Sequence, residues 1–79
     1  MLWYFKKMYE DDKIIRYSYS PETKLFDGIV EYNKATSEFE LIRSSENDYG
    51  KKHIDRMLHH LWRIIVKENA PDYRMVATG

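Results

Sequence analysis

Seventy-nine residues make one domain, and a domain of this size buries only about 60–65% of its extended surface, so its core is thin. There is no cysteine, which excludes disulfides and thiolate metal sites, and thirteen Lys and Arg balance thirteen Asp and Glu, which removes any whole-chain attraction to nucleic acid. Support must come from the twelve aromatic rings or from a partner.

The chain opens Met1-Leu2-Trp3-Tyr4-Phe5 before Lys6-Lys7. That apolar run is too short for a secretory core, its charges lie on the wrong side, and no later stretch reaches membrane-spanning length. A soluble cytoplasmic protein with no membrane partner is expected. Leu2 to Tyr9 reads as an aromatic-rich strand ending at Glu10-Asp11-Asp12. Lys13 to Tyr19 alternates, with Ile15, Tyr17 and Tyr19 on one side and Ile14, Arg16 and Ser18 on the other. Ser20-Pro21 opens a turn, and the partly apolar connection through Lys24-Leu25-Phe26 ends at Asp27-Gly28, where glycine accepts a positive φ.

Ile29 to Asn33 and Glu38 to Arg43 form the clearest hairpin, around the polar loop 33–37. A helix follows over 46–69. Ser45 with Asp48 fits a capping box, Asn47 or Asp48 serves equally as the cap, and acids are expected at the helix start. Pro71 ends the helix and pushes Ala70 toward an extended conformation. Residues 70–79 form a tail or a short edge strand at Tyr73 to Ala77. The predicted fold is α+β in two layers: a mainly antiparallel four-stranded sheet, with a possible short fifth strand, covered on one face by a single long C-terminal helix.

Between Lys51 and Asn69 the helix has two unlike sides. Ile54, Met57, Leu58, Leu61, Ile64 and Ile65 share one, which lies on the sheet. Lys52, Arg56, His59, His60, Arg63 and Lys67 share the other within a sector of roughly 100°, with no acid among them. This stripe is a candidate face for an anion or nucleic acid, or a solvated exterior that pairs with Glu31, Glu38 or Glu40 of a neighbour. The layout is dipolar: residues 1–48 hold seven bases and ten acids, and residues 49–79 hold six bases and three acids.

Trp3, Phe5, Ile15, Tyr17, Tyr19, Val30, Tyr32, Phe39 and Leu41 are assigned to the covered sheet face. The other face then carries Leu2, Tyr4, Met8, Ile14, Ile29 and Ile42 beside its polar residues, a large apolar set for a solvated surface. Three readings account for it. The register of one or two strands differs from the one assumed, the 20–28 loop and the C-terminal tail fold over these side chains, or the face joins a homodimer.

Chemistry-bearing patterns are sparse. His53 and His60 lie about 10 Å apart along the helix axis, too far to share a metal comfortably. Exposed imidazoles with ordinary titration are expected. Tyr17, Tyr19, Tyr32 and Phe39 have the spacing of a base-stacking platform and equally of a core. Glu31, Glu38 and Glu40 could gather around Mg²⁺, or merely solvate strands. His53, Arg56, His60 and a tyrosine would suffice for a metal-free ribonuclease. No cofactor motif occurs. The function expected is a non-catalytic interaction protein that self-associates and binds another protein, with a nucleic-acid-binding regulator and a small RNA-cleaving enzyme as alternatives.

Overall fold

The computed structural model describes residues 1–46 and 50–78. Five strands and one helix follow in order: β1 (Leu2–Glu10), β2 (Ile14–Pro21), β3 (Gly28–Asn33), β4 (Glu38–Arg43), α1 (Lys51–Val66) and β5 (Tyr73–Ala77). The strands form one antiparallel sheet in the order β4-β3-β2-β1-β5. The first four are a meander, and the fifth returns after the helix to flank β1. The α+β reading therefore holds, with the fifth strand a full member of the sheet.

Alternation decides which face the helix covers. Trp3, Phe5, Ile15, Tyr17, Tyr19, Val30 and Tyr32 point inward and meet Met57, Leu61, Ile64 and Ile65 of α1, with Phe39, Leu41, Ile54 and Leu58 packed around them. This is the face assigned from sequence. The four fully covered helix side chains contribute roughly 6–12 kcal/mol in all, as an upper figure for transfer out of water. That matches the whole net stability usual for a domain, about 5–15 kcal/mol. The aromatic side chains are thus core, and the base-stacking platform does not exist as a surface.

Several local expectations are corrected. The helix is shorter than the predicted 46–69 at both ends. Its N-cap is Gly50, at φ 103°, with no side-chain cap and no acid in the first turn. Of the expected caps, Asn47 and Asp48 lie outside the described residues. The Ser45–Asp48 capping box likewise reaches outside the described residues, and the Ser45 hydroxyl donates to Asp27 Oδ1 at 2.6 Å. At the other end Ala70 is not extended. It sits at φ 50° after Asn69 at φ 61°, held by its N–H on the Ile64 carbonyl at 3.0 Å and by its buried methyl. Ser20 and Pro21 belong to β2, and the turn begins at Glu22. The left-handed residues of the connection are Glu22, at φ 65°, and Phe26, at φ 50°, and Gly28 is needed for space beside Tyr19 instead.

Two bulges change which side chains share a face. Lys7 opposes Tyr17 but Tyr9 opposes Arg16, so Met8 is the extra residue. Val30 opposes Leu41 but Ile29 opposes Arg43, so Ile42 is extra. Met8 and Ile42 therefore leave the regular outer positions assumed for them, and Tyr9 takes the place beside Arg16.

Candidate interaction surfaces

The outer sheet face is half roofed by the 22–27 connection. Glu22 anchors it, since its N–H donates to the Leu2 carbonyl at 2.7 Å and its carboxylate accepts the Leu2 N–H at 3.1 Å. At the far end Asp27 accepts the Ser45 hydroxyl and the Glu46 N–H (2.9 Å), while its carbonyl accepts Arg43 Nε at 2.7 Å. These bonds hold the Asp27 carboxyl below its ordinary range, the Ser45 hydroxyl chiefly. Between these anchors Phe26 lies edge-on to Tyr4 and Tyr73, with ring centres 6.4 Å from each.

The candidate self-association residues consequently divide. Tyr4 is buried beneath Phe26, while Leu2, Ile14 and Ile29 are half-buried. Met8 and Ile42 are exposed at their bulges. Residues the sequence did not flag complete an apolar shelf around Phe26: Leu25 is 59% exposed, Tyr73 48% and Met75 44%. The loop covers part of the face, as one reading required, but exposes side chains of its own. Residues 73–77 extend the sheet and do not fold over it.

The helix presents the second surface. Lys52, Arg56, His59, Arg63 and Lys67 are exposed and His60 is half-buried. Asp55 lines the same shallow depression as Lys52, Arg56, His59 and His60, so the stripe does carry an acid at its margin. Among the described residues none of the four Lys and Arg side chains forms an ion pair, whereas Lys7, Arg16, Lys34 and Arg74 on the sheet all do. Trp62, absent from the sequence-derived set, is 37% exposed, with Lys67 Nζ 5.9 Å from its ring centre. At 100° per residue Trp62 falls outside the apolar stripe, a signal available in the sequence.

The imidazoles are not three exposed side chains. His60 Nδ1 is shielded from solvent with no hydrogen-bond partner among the described residues. Its pKa is lowered by burial first, then by Arg63 and His59. Among the described residues the helix depression gathers Arg56, His59 and His60 of α1 but not His53. Glu31, Glu38 and Glu40 border one polar hollow at the β4 edge, yet Glu31 already binds Arg16 at 2.7 Å. Among the described residues no group of three or more His, Cys, Asp or Glu could hold a metal ion. No helix is long and apolar enough to cross a membrane.

Comparison with family models, characterised proteins and solved structures gives no match.

Proposed function

We propose that this chain is a small non-catalytic interaction protein that self-associates through the outer face of its sheet and, so assembled, binds another protein. The observation that carries the reading is the shelf formed by Leu25, Phe26, Tyr73 and Met75. One sheet face is closed by the helix, and the opposite face keeps exposed apolar side chains around the Phe26–Tyr73 contact that a thin-cored monomer gains nothing by exposing. Burying each such side chain contributes roughly 1.5–3 kcal/mol when complete. The absence of cysteine supports a reducing, cytoplasmic setting. Sedimentation from micromolar to millimolar concentration tests the proposal: a rising dimer fraction is expected, and a monomer throughout removes it.

A second reading, a nucleic-acid-binding regulator, is favoured by one observation: among the described residues Lys52, Arg56, Arg63 and Lys67 form no ion pair, and Lys67 stands beside an exposed Trp62. Four phosphate contacts from Lys52, Arg56, Arg63 and Lys67 imply a log–log salt slope of roughly −3 to −4. Titration of nonspecific RNA and DNA at two salt concentrations measures it. No binding at low salt ends this reading, and with it the ribonuclease alternative.

A further inference from the structure

We infer that the second copy sits sheet to sheet about a two-fold axis lying between the two outer faces, with Lys6 and Lys24 of each protomer facing Glu38 and Glu40 of the other. The inference rests on the self-association reading and adds its register and its specificity.

Charge carries the argument. On the outer face Glu38 and Glu40 stand on the edge strand β4, opposite Asn33 and Glu31. Lys6 stands on β1, opposite Ser18 and Tyr73. Lys24 rides on the connection, its Nζ 5.7 Å from the Tyr4 ring centre. Among the described residues none of these four charges forms an ion pair, whereas Arg16 and Glu31 between them neutralise each other. Strands β1 and β4 are three positions apart at about 4.8 Å each, and the acidic rows lie two to four residues along the strands from Lys6. Bases and acids thus occupy opposite corners of one face, roughly 15–20 Å apart.

A face charged in this way is complementary to itself. Rotation by 180° about an axis in the interface carries each basic corner onto the partner's acidic corner, and it does so twice. A two-fold axis running parallel to the line between the two corners would instead set like charges together. Shape agrees with charge. The 22–27 connection raises the β1–β5 corner through Phe26, while among the described residues Glu38, Glu40 and Ile42 stay exposed at the β2–β4 corner. The same rotation seats the raised corner of each copy on the low corner of the other. Packed sheets stand about 10 Å apart, which accommodates a layer one ring thick. An association in which the helix cations of one copy grip Glu38 and Glu40 of the next would instead be head-to-tail and open-ended.

Two double variants test the register, Lys6→Glu with Lys24→Glu, and Glu38→Lys with Glu40→Lys. All four positions are exposed, and circular dichroism verifies that each variant folds. Each alone is expected to weaken wild-type dimerisation at least about tenfold, because each face becomes uniformly charged. An equimolar mixture of the two is expected to restore dimers, now exclusively mixed, as read by sedimentation and by native mass spectrometry. A mixture that associates no better than its components overturns the register. So does loss of association in Lys52→Glu with Arg56→Glu, which would place the contact on the helix. A wild-type chain monomeric up to millimolar concentration sinks the self-association reading itself, whereas a wild-type dimer indifferent to both sheet variants keeps that reading and removes only this arrangement.

Discussion

Replacing Gly28 by alanine probes how tightly the sheet closes on its core. A Cβ at this position would lie 2.3 Å from Tyr19 Cε1, 2.5 Å from Cζ and 2.7 Å from Cδ1. Ordinary carbon contact begins at about 3.5 Å, so the ring must move by about 1 Å or more. It has little freedom to do so. Tyr19 is fully buried, tilted against Trp3 with centroids 6.4 Å apart, and its hydroxyl accepts the Ser45 N–H at 3.3 Å. Overpacking of this kind costs about 1–3 kcal/mol, offset by about 0.5–1 kcal/mol from the stiffer unfolded chain. The net loss is about 1–2 kcal/mol, which lowers Tm by about 4–16 °C in a domain of this length. Thermal and urea unfolding followed by circular dichroism measure it. In a Tyr19→Leu background the same glycine substitution is expected to cost almost nothing, giving a coupling of about 1 kcal/mol or more. A Gly28→Ala protein as stable as wild type, or additive costs in the double variant, would refute the reasoning.

Tyr17→Phe removes the hydroxyl that donates to the Pro71 carbonyl at 2.5 Å, and a loss of about 1 kcal/mol is expected, with faster amide exchange in the 67–72 turn. Asp11 accepts the N–H groups of Ile14 and Lys13 and the Tyr9 hydroxyl, which bring its pKa from 3.8 to about 2. A depressed folded value stabilises above the unfolded pKa, so this contribution is present above pH 3.8 and fades as pH falls toward 2; Asp11→Asn should flatten that part of an acid-unfolding profile. His60 has a folded pKa below its ordinary 6.5, so the unfolded chain takes up a proton first and stability declines as pH falls below that value. His60→Gln should abolish this slope in urea titrations between pH 7 and 5, and an unchanged slope would contradict the shielding of its ring.

Strand alternation and the helical stripe were legible because each repeats over many residues. Ile15, Tyr17 and Tyr19 cannot leave the core side without Arg16 and Ser18 entering it, and Met57, Leu61 and Ile64 recur only at the helical period. Several of the differences are single-residue events. A bulge inserts one residue without any compositional mark, so Met8 and Ile42 were misplaced while their neighbours were not. Phe26 adopts a positive φ that its side chain does not announce; only the tertiary contact with Tyr4 and Tyr73 explains it. The helix ends before the stop that Pro71 predicts, because Asn69 and Ala70 already turn away at positive φ. The cationic stripe lies on the largely exposed side of the helix, with Asp55 and Trp62 at its margins.

The pairing of β5 with β1 ties the two ends of the chain together. The Met1 amino group donates to the Thr78 carbonyl at 2.8 Å, and the Thr78 N–H returns to the Met1 carbonyl at 2.8 Å. Four strands can zip by successive local turns, but this latch closes a loop of 77 residues and gains nothing until the helix has docked. It is therefore the last seam to form and the first to fray. An opened seam bares the flank of β1 with Leu2 and Tyr4 on it, an invitation for another molecule's terminal strand to enter by exchange.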